Sequence, residues 1–222
     1  MSQIADNIQS VRQELPENVT LVAVSKFKPA EDIMEAYRAG QRIFGENRPQ
    51  ELKWKAESLP KDIQWHLIGH LQKNKIKMAV PYAALIHSVD TADLLMEIEK
   101  YCAREERTAD VLIEIHIASE ESKHGFTREE VLELLPRLEL HHVRIRGVMG
   151  MASFTGDETL IRSEFALLNS VYEEVSRMDL PFLSDFGIRS FGMTNDYRIA
   201  VEMGSNMVRI GTKIFGPRDT RL

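Results

Sequence analysis

A lysine ends the first strongly apolar stretch of the chain. Residues 20–24 are apolar or β-branched without a break, and Ser25 and Lys26 follow them. A run this short and this rich in valine is typical of a strand buried on both faces in a parallel sheet. A lysine beside a core pairs with a charge, extends to solvent or loses basicity, and a lysine of lowered pKa attacks carbonyl carbons. Lys26 is therefore either a strand-end side chain that reaches solvent or a candidate for imine chemistry.

Two small turns near the C-terminus contain glycine and hydroxyl residues that suit a bound anion. The first spans residues 190–196 and includes Thr194, directly after which we predict a helix, and the second contains Gly211 and Thr212. Backbone N–H groups at a helix N-terminus, together with the helix dipole, bind anions such as phosphate. Alternatively, Thr194 only caps its helix and Gly211 only permits a turn.

A lysine and phosphate-binding turns together suit a phosphorylated carbonyl compound. Pyridoxal phosphate is the leading candidate, because its aldehyde would form an imine with Lys26 while its phosphate contacts backbone amides. A Schiff-base aldolase acting on a phosphosugar would need the same two features. Arg209 favours the cofactor, since an arginine keeps its proton in a protein and would donate a hydrogen bond to an unprotonated pyridine nitrogen. The alternative for Arg209 is an ion pair with a glutamate such as Glu46.

Composition and charge exclude several other classes of protein. The 222 residues carry a formal net charge of −6, which provides no basic surface for nucleic acid. No apolar run of about 18 residues could cross a membrane, and the N-terminus lacks the apolar centre of a signal peptide. The single cysteine, Cys102, excludes an internal disulfide and is expected to pack inside a helix. We therefore expect a cytoplasmic protein, and the lack of an exposed apolar stripe favours a monomer.

The predicted helices and strands alternate regularly along the chain. An amphipathic helix comes first, and eight strands then alternate with seven helices. Strict alternation predicts parallel strands joined by right-handed crossovers, and eight units predict an α/β fold, a (β/α)8 TIM-type barrel that forms a single domain over residues 1–222. The runner-up is an open doubly wound sheet. The expected strands lie at residues 20–26, 42–46, 64–69, 84–89, 110–117, 143–149, within 182–193, and at 207–211.

The ends of this predicted barrel differ from a regular one. Too few residues follow the last strand for a full final helix, so the N-terminal helix is expected to pack where that helix would lie. Active sites of such barrels form at the carboxyl ends of the strands. A short basic helix is expected at residues 71–79 beside that opening, with Lys73, Lys75 and Lys77.

Motifs distributed over nearly the whole chain resemble the YggS/PROSC family of pyridoxal phosphate-binding, or homeostasis, proteins. They occur in the family's order and are far more specific together than any one of them. The motifs are VAVSK at 22–26, FGEN at 44–47, HLIGHLQKNK at 66–75, SEESKHG at 119–125, GVMGM at 147–151, SFGMTND at 190–196 and GSNMVRIGTKIFG at 204–216.

This resemblance implies a barrel similar to the N-terminal domain of alanine racemase, with pyridoxal 5'-phosphate held as an internal aldimine on Lys26. It implies a role in vitamin B6 homeostasis and in amino and keto acid balance without robust catalysis. It places Arg209 at the pyridine nitrogen, and the other implied contacts to the phosphate and the ring are Ser190, Met193, Thr194, Gly211, Thr212, Asn47, Met149 and His66.

The alternative function is a pyridoxal phosphate-dependent amino-acid racemase. Such an enzyme needs a base on each face of the substrate, and in the racemases the second base is a tyrosine from a C-terminal domain that this chain is expected to lack. His66 and His70 remain candidate bases. In the carrier hypothesis the protein passes its cofactor to apo-enzymes that depend on it, and Lys123 or the basic helix would contact a partner or the cofactor phosphate.

Overall fold

Parallel strands close into a barrel at the centre of the molecule. The structure is a computed structural model and describes residues 2–119 and 124–217, within which eight strands pair in sequence order. They are β1 (Thr20–Val24), β2 (Ile43–Glu46), β3 (Gln64–Leu67), β4 (Ala83–Val89), β5 (Ala109–Ile115), β6 (Val143–Gly150), β7 (Ile188–Met193) and β8 (Met207–Ile210).

The first and last strands complete the ring. β1 pairs with β8 in parallel, with Val22 opposite Arg209, while β7 pairs with the other edge of β8. No strand of the described barrel is therefore left as a free edge. The predicted barrel is confirmed, and the open sheet considered as the runner-up is wrong.

Helices cover the outside of the barrel. Thr91 caps the fifth helix by accepting the Leu94 N–H, and Thr127 and Glu130 form a capping box at the start of the sixth. Within the described residues, no helix has both the length and the apolarity to span a membrane. The helices are α1 (Gln3–Glu14), α2 (Ala30–Arg38), α3 (Pro49–Ser58), α4 (Ile76–Ala79), α5 (Ala92–Arg104), α6 (Arg128–Leu134), α7 (Glu158–Val175), α8 (Tyr197–Glu202) and α9 (Thr212–Phe215).

The N-terminal helix packs where the final helix of a regular barrel would lie. α9 has only four residues, and α1 contacts both α9 and α2. Ile8 and Val11 of α1 are fully buried. At the end of α1, Glu14 binds Lys213 and Arg198, at 2.6 and 2.8 Å, and so links the start of the chain to its last elements.

Two segments differ from the sequence predictions. β7 does not extend back towards residue 182, because the buried Phe182 and Leu183 belong to a 3-10 turn at Pro181–Leu183. The predicted basic helix is a 3-10 turn at Lys73–Lys75 followed by the single turn of α4. Apolar spacing alone does not separate such tight turns from strands and helices.

The barrel interior changes from apolar to polar along the strands. Residues two apart in a strand share a face. His87, Glu114 and Arg209 each follow a member of an apolar cluster by two positions, and all three are buried. The carboxyl ends of the strands therefore sit on a polar layer. The apolar cluster beneath it consists of Val22, Leu85, Leu112, Met149 and Met207.

Candidate functional site

A cavity of about 440 Å³ opens at the carboxyl ends of the strands. Its volume is in the range of small-molecule sites. A groove between α1 and α2 is larger, about 820 Å³, but it lies away from the strand ends where barrels carry their sites. Seven of the ten residues predicted to contact a cofactor line the cavity: Lys26, Asn47, Met193, Thr194, Arg209, Gly211 and Thr212.

Lys26 enters the cavity from the turn that follows β1. It continues the inward side of the strand, two positions after Val24, which also lines the cavity. The next residue, Phe27, has a φ of 62°, a conformation that is uncommon for a residue with a side chain. The chain therefore reverses sharply at Lys26, and this turn needs external support.

A buried ionic network provides that support on both sides of Lys26. Lys55 of α3 is fully buried, and its Nζ donates to the Ser25 carbonyl at 2.8 Å, to Glu46 Oε1 at 2.8 Å and to Glu51 Oε1 at 2.7 Å. The Ser25 hydroxyl donates to the same Glu46 oxygen at 2.6 Å. Glu51 in turn accepts the Phe27 N–H at 2.8 Å. The peptide groups before and after Lys26 are thus both fixed.

Two carboxylates in this network share one ammonium. Burial removes the hydration of Glu46 and raises its pKa from 4.5 to about 7, although Lys55 opposes the shift. Glu46 Oε2 is buried and has no hydrogen-bond partner among the described residues. A second carboxylate, Glu51, adds to the rise in pKa. Protonation of Glu46 near neutral pH would leave the network electrically neutral.

Arg209 forms the floor of the cavity. Its two terminal nitrogens donate to the Ser190 carbonyl at 2.7 Å, the Ser190 hydroxyl at 2.6 Å and the Gly150 carbonyl at 3.0 Å. Burial lowers the pKa of Arg209 to about 10, so the group remains a cation at neutral pH. The alternative ion pair with Glu46 is wrong, because Glu46 binds Lys55 and Ser25 and does not line the cavity.

A chain of hydrogen bonds leads from Arg209 through the barrel interior. The Ser190 hydroxyl, which accepts from Arg209, lies 3.1 Å from Nδ1 of His87. Nε2 of His87 lies 2.9 Å from Nδ1 of His66, within hydrogen-bond distance. Burial lowers the pKa of His66 to about 3 and that of His87 far below its usual value, so both rings are neutral. The hydrogen-bond chain thus connects the arginine to two neutral histidines in the barrel interior.

The turn after β7 differs from the predicted helix start. The Met193 N–H donates to Asp196 Oδ1 at 2.5 Å, and the Asp196 N–H donates back to the Met193 carbonyl at 3.1 Å. Thr194 therefore lies in a closed turn, and α8 begins only at Tyr197. Thr194 still lines the cavity, but the expectation that a helix starts directly after it is wrong.

The turn after β8 brings that strand close to β1. A Cβ added at Gly211 would lie 3.2 Å from both the Val24 carbonyl oxygen and Val24 Cβ. A side chain at this position would therefore push the two strand ends apart. Thr212 starts α9 next to this contact, and the first N–H groups of a helix have no partner inside it.

Three of the predicted contacts lie beneath the cavity rather than in its wall. His66 and Ser190 belong to the buried hydrogen-bond chain, and Met149 belongs to the apolar interior cluster. Two of the basic residues considered for partner binding are placed on the surface: Lys73 pairs with Asp93 at 2.6 Å, and Lys77 belongs to α4. Lys123 lies outside the described residues.

Comparison with known proteins agrees with this architecture. The family described as alanine racemase, N-terminal domain, matches residues 1–219. The pyridoxal phosphate homeostasis protein of Pasteurella multocida is 37% identical over 226 aligned positions. The matched region covers 99% of this chain and 96% of that relative. The chain belongs to the pyridoxal phosphate homeostasis protein family.

Solved structures give the same result for the fold of this family member. PipY of Synechococcus elongatus, solved with PLP bound, is 35% identical, has a TM-score of 0.86, and is matched over 96% of this chain and 100% of PipY. An alanine racemase of Clostridium difficile shares the fold alone, with 13% identity and a TM-score of 0.77 over 99% of this chain and 57% of the racemase.

Sequence reasoning missed one whole wall of the cavity in this homeostasis-family chain. Met151 lines the cavity, two positions after the predicted Met149, and so do Ser153, Phe154 and Thr155 of the following loop. Inward alternation along β6 would have indicated Met151. No comparable signal marks Phe154, whose side chain is 85% exposed at the rim.

Proposed function

We propose that this protein binds pyridoxal phosphate in the cavity at the strand ends, with Lys26 as the attachment residue, and takes part in vitamin B6 homeostasis. The observation that carries the proposal is that Lys26, Arg209 and two small turns face one cavity. When bound, the cofactor supplies an aldehyde carbon that a lysine amine attacks. The PLP-bound structure of PipY, 35% identical to this chain, supports the choice of ligand.

The residues present fit an aromatic ring that carries a phosphate. Lys26 and Arg209 provide an amine and a permanent donor, while Val24, Ile68 and Met151 provide apolar contact for a ring. Gly211 leaves backbone exposed where a side chain would collide with Val24. Sites of this kind combine apolar lining with a few polar groups that fix orientation.

Arg209 would bind a ring nitrogen by donating a hydrogen bond from an N–H group that keeps its proton. Its cationic state survives burial, with a pKa of about 10. Hydrogen bonds to Ser190 and Gly150 hold its guanidinium in one orientation. A fixed donor of this kind stabilises an unprotonated acceptor and disfavours chemistry that requires a protonated ring. This supports a role in holding the cofactor rather than in catalysis.

In the described part of the chain, no tyrosine or histidine lines the cavity as a candidate for the second base that a racemase requires. Among the described residues that line the cavity, the ionisable ones are Lys26, Asp196 and Arg209. Asp196 accepts the Met193 N–H within its turn. The Tyr197 hydroxyl contacts Glu14 and Lys213 away from the cavity. Of the described residues that line the cavity, Lys26 is thus the one placed as a base, which favours cofactor storage and transfer over racemisation.

We infer further that residues 1–222 act as one barrel domain, as a monomer and in the cytoplasm, and that apo-enzymes which depend on the cofactor receive it. The test is to mix the loaded protein with an apo-transaminase and, separately, with single enantiomers of alanine in deuterated water. We expect the transaminase to gain activity and the alanine to gain no α-deuterium. Sustained α-deuterium exchange that Lys26→Ala removes would overturn the holding role.

A further inference from the structure

Three loops at the barrel rim place two histidines and an aspartate together. His70 follows β3, Asp90 comes directly after β4, and His124 lies in the connection after β5. One ligand atom from each residue lies within 4.8 Å of the other two. None of the three lines the cavity that we assign to the cofactor. We propose that they form a separate binding site for a divalent transition-metal ion such as Zn²⁺.

The two imidazole rings converge on a single carboxylate oxygen. Nδ1 of His70 lies 2.8 Å and Nδ1 of His124 lies 3.8 Å from Asp90 Oδ2. The rings stack with their centroids 4.7 Å apart and an interplanar angle of 20°. A zinc ion bonds nitrogen and carboxylate oxygen at about 2.0–2.2 Å, so its tetrahedral ligands lie roughly 3.3 Å apart. The separations in this group bracket that value.

The donor set is one that binds transition metals. Imidazole nitrogen suits Zn²⁺, Cu²⁺ and Ni²⁺, and three protein ligands leave a coordination position open. The Asp90 side chain is only 3% exposed, whereas those of His70 and His124 are 46% and 65% exposed. The ligand carboxylate is therefore buried, while both imidazole rings face the solvent from which an ion would reach the group.

The backbone around the group is held in place before any ion binds. The Ser88 hydroxyl donates to the Gly69 carbonyl at 2.6 Å and ties the His70 loop to the end of β4. Directly after His124, Gly125 has a φ of +125°, and a Cβ there would lie 2.6 Å from the His116 nitrogen. Such a turn admits only glycine without strain. The ligands thus project from fixed positions, as metal sites require.

A single ion could use both rings together with the carboxylate. Histidine binds a metal through the lone pair of a ring nitrogen, and Nδ1 of His70 and of His124 lie 2.8 and 3.8 Å from Asp90 Oδ2. One divalent ion beside Asp90 would therefore be bound by both Nδ1 atoms. A trio held by hydrogen bonds alone would have no affinity for metal beyond that of a surface histidine.

The test uses the full chain without a polyhistidine tag and with Co²⁺ and Zn²⁺ as probes. Tetrahedral Co²⁺ absorbs visible light more strongly than hydrated Co²⁺, and displacement by Zn²⁺ gives the zinc affinity. We expect one equivalent to bind, and His124→Ala to weaken binding by at least about tenfold, since even outer-shell changes cost 10–100-fold. His141→Ala, which removes an exposed histidine outside the group, is the matched control.

Because the side chain of His124 is the most exposed of the three, its loss should leave folding intact, which circular dichroism checks. Asp90→Asn is the second variant, since it removes the charge but keeps the shape. The proposal is overturned if the parent protein shows no tetrahedral cobalt band, or if His124→Ala binds as tightly as His141→Ala. Because none of the three metal-site residues lines the cofactor cavity, the absorbance of bound pyridoxal phosphate should be equal in all these variants.

Discussion

Lys26 and Lys55 lie next to the same turn but have opposite environments. Lys55 is fully buried and donates to three oxygens within 2.8 Å, two of them carboxylate oxygens. Lys26 is half-buried and lines an open cavity together with Arg209. The three hydrogen bonds of Lys55 Nζ would have to break before this nitrogen could attack a carbonyl carbon. The lysine suited to chemistry is thus the less buried one.

The difference also shows how one lysine serves the other. Lys55 binds the Ser25 carbonyl, and its partner Glu51 binds the Phe27 N–H. These are the two residues that flank Lys26. The buried Lys55 therefore fixes the backbone on both sides of Lys26. Lys55 positions the turn, and Lys26 provides the amine that reacts.

The largest expected effect separates the two lysines by function. Lys26→Ala should abolish all covalent binding of pyridoxal phosphate, because it removes the only amine that we assign to the aldehyde. Its free energy of unfolding should change by no more than about 1 kcal/mol, as for other partly exposed positions. Cofactor absorbance and urea denaturation measure the two quantities. Lys53→Ala, on the exposed side of α3, is the control and should retain full absorbance.

The second effect is on stability. Lys55→Met should lower the free energy of unfolding by about 3–5 kcal/mol, since it leaves buried carboxylates without their cation. Urea denaturation monitored by circular dichroism measures the loss. Adding Glu46→Gln to Lys55→Met removes one uncompensated charge and should restore part of the stability. A Lys55→Met protein as stable as the parent would mean that this lysine does not support the turn.

The third effect is a pH dependence that belongs to the Lys55 network. The pKa of Glu46 is about 7 in the folded protein against 4.5 as its ordinary value, so the folded state holds a proton that the unfolded state releases between these values. The contribution of Glu46 to the free energy of unfolding is therefore largest below pH 4.5. It decreases as pH rises through 7, by up to about 1.4 kcal/mol per pH unit. Glu46→Gln should lack this slope in urea titrations at pH 5, 6 and 7. An equal slope in both proteins would assign it to another group.

The smallest expected effect distinguishes the role of Glu51 from that of Glu46 in the Lys55 network. Glu51→Gln keeps an acceptor for the Phe27 N–H but removes the second carboxylate. Because Glu51 is partly exposed and raises the pKa of Glu46, we expect a stability change below about 1 kcal/mol and a lower pKa of Glu46. The pH of half-maximal stability loss measures this shift. A loss as large as that of Lys55→Met would show that the two carboxylates are not distinct in role.

The sequence predicted the barrel because its signals are local and repeated. Strands and helices alternate from Thr20 onward, and capping residues such as Thr91 and Thr127 mark helix starts within this pattern. Lys26 and Arg209 could be assigned to the mouth because both follow buried strand residues on the inward face. The seventh strand was less well bounded, since Phe182 and Leu183 are apolar but pack as a turn.

The role of Lys55 could not be predicted in the same way. It follows Glu51 by four residues on a polar helix, a spacing that also describes an ordinary surface ion pair. Its other partners, Ser25 and Glu46, come from separate strands that meet only in the fold. Ser190 and His66 are buried by long-range contacts and do not line the cavity, and their contact with the cofactor stays a prediction.

The most direct test of the central claim is to locate the covalent link. The full-length protein is loaded with pyridoxal phosphate, reduced with borohydride, digested and mapped by mass spectrometry. We predict the added cofactor mass on the peptide that contains Lys26, at one equivalent per chain, and none on the peptide that contains Lys55. Label on Lys55, or an equal amount of label in the Lys26→Ala protein, would contradict this account.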